Sequence, residues 1–170
     1  MEVAGFEIEN KSGFWSALIG LIASLVMAMG NDGLLGGIAD ATSEWGDVKS
    51  AVVTLHSYDV NSVGDNSYSV LRPSDEGFNK LSEVLSTKVP WLRYSKPDLI
   101  VMNTVATFGG SPKKVVHARA KGQSQVKAIA DFYIVDDWIT QSKSKDYLYK
   151  GLFLLIVSFG IGISQFVRPI

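Results

Sequence analysis

The sequence predicts an α+β fold, a small antiparallel sheet with one packed helix, flanked by two transmembrane α-helices. Three observations predict it. Two uncharged, apolar stretches lie near the two ends, Phe14–Gly30 and Gly151–Val167. Between them, apolar and polar residues alternate over Lys113–Lys121 and apolar residues recur at alternate positions from Val126, which is the two-residue period of strands. One segment, Ser74–Lys88, instead carries the spacing of an amphipathic helix.

Composition narrows the classes. The 170 residues include 16 basic and 17 acidic side chains, so no overall field draws the chain to nucleic acid. With 19% charged and 46% apolar residues the chain is globular rather than disordered. Its mean hydropathy of +0.16 is high for so polar a middle, because the two ends carry the excess. The chain has no cysteine, which excludes disulfides, thiolate catalysis and cysteine-ligated metal sites.

Residues 1–12 form an acidic tail in which Glu2, Glu7 and Glu9 outweigh Lys11. A secretory signal would be basic here, so residues 13–30 are expected to stay as a first span, although Ala28–Gly30 has the small residues of a cleavage site. At 1.5 Å per residue, Phe14–Gly30 covers about 25 Å of a hydrocarbon core about 30 Å thick. Its small residues Ser16, Gly20, Ser24 and Ala28 recur every fourth position and make a narrow stripe that another backbone can approach. Residues 31–49 are a Gly-rich connector. Within it the apolar run resumes over Gly33–Ala39, either as a continuation of the helix or as a piece lying along the membrane interface.

Residues 50–145 are expected to fold outside the membrane. Ser50–Tyr58 is rich in β-branched residues and reads as a strand with Ala51, Val53 and Leu55 on one face. Asn61–Ser67 is a turn, and Tyr68–Arg72 a short returning strand. Ser74 caps the helix to Lys88, Asp75 and Glu76 suit its first turn, and Phe78, Leu81, Val84 and Leu85 form its apolar face. Trp91 and Tyr94, between Pro90 and Pro97, are expected to cover the sheet. Asp98–Phe108 is apolar on both alternations and predicts a central strand.

The last two strands form a hairpin. In the first, Val116, Ala118 and Ala120 face one way and Lys113, Val115, His117, Arg119 and Lys121 the other; in the second, Val126, Ala128, Ala130, Phe132 and Ile134 share a face. Asp136–Lys145 is then a loop or short helix, and the order is β-β-α-β-β-β. This long C-terminal hairpin is similar to that of cone-shaped folds such as nuclear transport factor 2, which membrane-anchored secretion-system subunits use. The similarity is one of fold, with no motif attached.

The second span is residues 147–167, with Tyr147, Tyr149 and Lys150 at headgroup level and residues 168–170 as a tail. Ser158 with Gly162, and Gly160 with Ser164, give it narrow faces too. Two spans place both ends on one side of the membrane. Lys49, Lys143, Lys145 and Lys150 outnumber Lys11 and Arg168, which leans the central domain toward the cytoplasm.

Chemical signatures are sparse. His56 with Asp59 has the spacing of a base and its orienting acid, as has any histidine three residues from an aspartate. Phe108–Lys114, FGGSPKK, lacks the spacing of a phosphate-binding loop and precedes a strand, so it reads as a turn. No metal-ligand spacing, nucleophile elbow or dinucleotide fingerprint is present, and no cofactor is expected. The basic strand face of Lys113, His117, Arg119 and Lys121 is the working surface to test, with Asp131 as its neutralising neighbour. It has no interleaved aromatics for stacking bases.

The expected protein is therefore a non-enzymatic two-span subunit of a membrane assembly, of secretion or translocation type, packing through its small-residue faces. Its partners are other membrane subunits, copies of itself and the lipid bilayer. The alternative is a membrane-tethered sensor that recognises an anionic ligand or lipid headgroup through the basic face.

Overall fold

A computed structural model describes residues 2–3, 6–7, 10–31, 33–57, 68–105 and 112–164. The turn at 61–67, Asp59, the loop residues 106–111, Asp32 and the tail from residue 165 lie outside the described residues. The chain is α+β, with a four-stranded antiparallel sheet and five α-helices among those residues. It divides into two compact units, Met1–Ile38 with Lys143–Ile170, and Ala39–Ser142.

In the first unit, the two-residue strands β1 (Glu2–Val3) and β2 (Phe6–Glu7) pair antiparallel. Helix α1 is Lys11–Ala28, two residues ahead of the expected start, because Asn10 caps it by accepting from the Gly13 amide at 2.9 Å. The Gly-rich 31–49 connector is largely helical, and its apolar run Gly33–Ala39 falls mostly in a helix separate from α1. The connector holds α2 (Leu34–Thr42) and the first turns of α3 (Glu44–Ser57).

Helix α3 also corrects the strand expected at Ser50–Tyr58. Trp45, Val48, Ala51 and Leu55 are buried at helical spacing, whereas Val53, assigned inward by the strand reading, is 55% exposed. Ser43 accepts from the Trp45 amide, and Glu44 and Asp47 occupy the first turn. Burial of that stripe outweighs the β preference of Val52, Val53 and Thr54.

The sheet has the order β3-β4-β5-β6: Tyr68–Leu71, Pro97–Val105, Lys113–Ala120 and Lys127–Asp131. Strand β4 is internal, as expected. Its partners fix the two faces, since directly opposed residues point the same way. Ile100 opposes Leu71 and Ala118, and Met102 opposes Ser69 and Val116, and all of these are buried. They form one core with the α3 stripe and with Phe78, Leu81, Val84 and Leu85 of α4 (Phe78–Lys88). The sheet therefore has two helices contributing to its core, not one. Ser69 fastens it to α3 by donating to the Leu55 carbonyl at 2.6 Å, satisfying one of the helix's terminal acceptors.

Three expectations for this unit need correction. Helix α4 starts at Gly77 (φ +73°) rather than Ser74, because Asp75 accepts from the Arg72 amide at 2.7 Å and folds residues 73–77 into turns. Tyr94 is almost fully exposed; the neighbouring Leu92, in a single 3-10 turn over Pro90–Leu92, is buried in its place, and Trp91 is half-buried under Lys127. Strand β6 carries a register shift opposite Val116 and His117, so Ala128 and Ala130 pair onto opposite faces. It ends at Asp131, and Phe132 and Ile134 belong to α5 (Phe132–Ser164), a 33-residue helix in which Asp136–Lys145, expected as a loop or short helix, is continuous with the second span.

Candidate functional site: an intramolecular helix seam

The small residues of α1 and the C-terminal half of α5 meet within the first unit. Ser16 Oγ donates to the Ser158 carbonyl at 2.9 Å, and Ser158 Oγ donates to the Ser16 carbonyl at 2.7 Å. The two hydroxyl oxygens are 3.4 Å apart. Each serine thus satisfies the other helix's backbone, a geometry that two larger side chains would prevent.

The seam continues in antiparallel register. A Cβ at Gly20 would stand 3.3 Å from Ser158 Oγ, and one at Gly162 would stand 3.1 Å from Ser16 Oγ. Farther along, a Cβ at Gly151 would overlap Met27 Cγ and stand 2.9 Å from the Ala23 carbonyl oxygen. Ala23 itself is fully buried. At the far end, Gly30 lies against Ser144 and Tyr147, and Ser144 Oγ donates to the Gly30 carbonyl at 2.8 Å.

Of the eight small residues singled out in the sequence, the structure brings together Ser16, Gly20, Ser158 and Gly162. The other four lie elsewhere. Ser24 is exposed and turns its hydroxyl back to the Gly20 carbonyl. Ala28 is half-buried. Gly160 has open space where a Cβ would be, and Ser164 bonds the Ile161 carbonyl on its own helix. The stripe of strict four-residue spacing missed Ala23, Met27, Gly30, Ser144, Tyr147 and Gly151. The available signal was an alternation of three and four: Gly20, Ala23, Met27 and Gly30 follow it, as do Ser144, Tyr147 and Gly151.

The basic strand face is less basic than its sequence. Lys113 pairs with Asp131 at 3.6 Å, and Arg119 Nε with Asp98 at 2.8 Å. His117 is half-buried with Nδ1 3.2 Å from the Val115 carbonyl, and the exposed Lys121 lies beyond the strand end. His56 is exposed at the end of α3, beside Lys114 Nζ at 3.4 Å and edge-on to Phe132. The surface cleft around Glu44, Asp47, Asp75, Glu76 and Glu83 also holds Lys80 and Lys96, and Lys80 pairs with Glu44 and Glu83. Among the described residues, no group of three or more His, Asp or Glu side chains is placed to hold a metal ion.

Both helices of the seam are long and apolar enough to cross a membrane. Comparison with known protein families, with curated proteins and with solved structures finds no match to this chain.

Proposed function

We propose that the chain is a two-span membrane subunit. Its antiparallel helical hairpin stands in the bilayer, and its α+β domain meets partner proteins outside it. The single observation that carries this reading is the reciprocal Ser16–Ser158 pairing between two helices whose other faces are apolar and bare. Only 6% of the most apolar stretch of α1 and 17% of that of α5 is buried, whereas a core helix of a water-soluble domain is mostly covered. Trp15, Leu21, Ile22 and Leu25 on α1, and Leu152, Phe153, Ile156, Phe159 and Ile163 on α5, are exposed. So much continuous apolar surface suits lipid and not water. Helix α1 and the part of α5 from Tyr147 to Ser164 each cover about 27 Å, close to the hydrocarbon thickness.

The seam also bears on whether α1 is kept. Cleavage after Gly30 would strip Gly151, Ser158 and Gly162 of the helix they pack on, leaving the Ser158 carbonyl without its hydroxyl donor and the Ser158 and Ser144 hydroxyls without their acceptors. A retained span is the reading that uses these contacts.

The assembly role rests on what the seam leaves over. Ser24 and Gly160 are small residues on outward faces, free to admit a neighbouring helix. The test is the mass of the complex extracted from its membrane in mild detergent. It should exceed that of the 18.5 kDa chain, and the double substitution Ser24→Leu, Gly160→Leu should reduce it while the chain stays folded. A single-chain mass for the unsubstituted protein would overturn the assembly role.

A further inference from the structure

Helix α2 (Leu34–Thr42) begins after residues 29–33, directly beyond the end of α1. Its positions Leu34, Gly37, Ile38 and Ala41 share one face by helical spacing, and all four are exposed, Leu34 by 85% and Ile38 by 47%. The opposite face is the covered one, with Gly36 and Ala39 buried and Leu35 half-buried. A short surface helix in water turns its polar residues outward. Here the outward face has no charged side chain, Thr42 stands at its edge next to Ile38, and Asp40 sits away from it.

The level of the first part of α2, Leu34–Ile38, is fixed by packing inside the first unit. Gly36 rests on the Asn31 carbonyl, so closely that a Cβ would overlap the oxygen, and Lys143 Nζ lies 3.7 Å from where that Cβ would be. Ser144 holds the Gly30 carbonyl beside it. Here the uncharged run of α1 ends, at Gly30, and α5 is in its charged stretch Lys143–Lys150, about two turns before the uncharged part from Gly151. The bare face of α2 therefore stands just past the apolar end of α1, beside the charged stretch of α5.

We infer that α2 lies along the bilayer surface, with Leu34 and Ile38 inserted into the boundary between headgroups and acyl chains. The occupant of its bare face is the lipid of the membrane that α1 has just crossed. Covalent continuity with the span and the absence of charge on that face both favour lipid over a protein partner. The inference rests on the two-span reading above.

The chain has no cysteine, so single-cysteine variants report one site each. Leu34→Cys, Ile38→Cys, Leu21→Cys and Tyr94→Cys in the full chain, each carrying an environment-sensitive fluorophore, are reconstituted into phosphatidylcholine vesicles. Quenching is read with lipids bearing a nitroxide near the headgroup or near the bilayer centre, and with aqueous iodide. Leu21 should be quenched by the deep nitroxide and Tyr94 by iodide alone. Positions 34 and 38 should show blue-shifted emission, quenched more by the shallow nitroxide than by the deep one. Should Leu21 escape both nitroxides, the two-span reading itself fails. With Leu21 quenched as expected, iodide-only quenching at 34 and 38 would overturn the inference and leave the spans standing. Shielding of 34 and 38 from iodide and lipid alike would overturn it too, in favour of a protein partner.

Discussion

At Gly151 a hydrogen atom takes the place of any side chain because Met27 and the Ala23 carbonyl occupy the space. Gly151→Leu would drive the two helices apart, at a cost of about 1–3 kcal/mol for overpacking. At Gly160 on the same helix a Cβ would meet nothing within 4 Å among the described residues, so Gly160→Leu should leave the hairpin's stability unchanged. Thermal unfolding of the full chain in detergent separates the two. The serine pair is worth less. Interhelical hydrogen bonds in membranes average about 0.6 kcal/mol, so Ser16→Ala with Ser158→Ala should weaken the hairpin by about 1 kcal/mol. Half of the small residues singled out in the sequence belong to this seam, and they are the smaller part of it. Four residues advance a helix by about 400°, so a strict four-residue stripe drifts about 40° at each step and leaves the contact. That drift is why Ser16 and Gly20 meet α5 while Ser24 does not, and why Ala23 and Met27 take over.

Among the elements, α3 shows most clearly where local pattern was outweighed. Ala51, Val53 and Leu55 satisfy an alternation, but Val48, Ala51 and Leu55 satisfy a helical period equally well, and short apolar runs do not distinguish the two. The acidic first turn and Ser43 were the arbitrating signals. The helix predicts that Leu55→Ala costs about 2–5 kcal/mol. Val53→Ala, on the exposed side, should stay within about 0.5 kcal/mol. A strand would make both substitutions costly, and urea unfolding of the full chain followed by circular dichroism tells them apart. Gly77 tests the neighbouring helix. Its φ of +73° and its approach to the Asp47 carbonyl leave no room for a Cβ, so Gly77→Ala should destabilise by more than about 1 kcal/mol. The β5–β6 hairpin was readable because one face is buried, which enforces strict alternation at Val116, Ala118 and Ala120. The bulge in β6 and the switch to helix at Phe132 were not, since neither changes the run of apolar residues.

For the whole molecule, the two-span reading separates residues near the start of α1 from the α+β domain by one membrane. In sealed vesicles, cysteines at Lys11 and Tyr94 should react with an impermeant maleimide from opposite sides; both are exposed. The paired charges on β5, Lys113 with Asp131 and Arg119 with Asp98, lead us to expect little loss of vesicle binding when these lysine and arginine side chains are replaced by glutamine. The central claim is that α1 and α5 of one chain form a hairpin whose register is set by Ser16 and Ser158. Disulfide formation tests it most directly, because every cysteine must be introduced. After mild oxidation in the membrane, the Ser16→Cys, Ser158→Cys protein should form an internal bond that shifts the mobility of the monomer, while Ser24→Cys, Gly160→Cys should form no internal bond. A Ser16→Cys, Ser158→Cys product that crosslinks only between chains, or not at all, would contradict the hairpin.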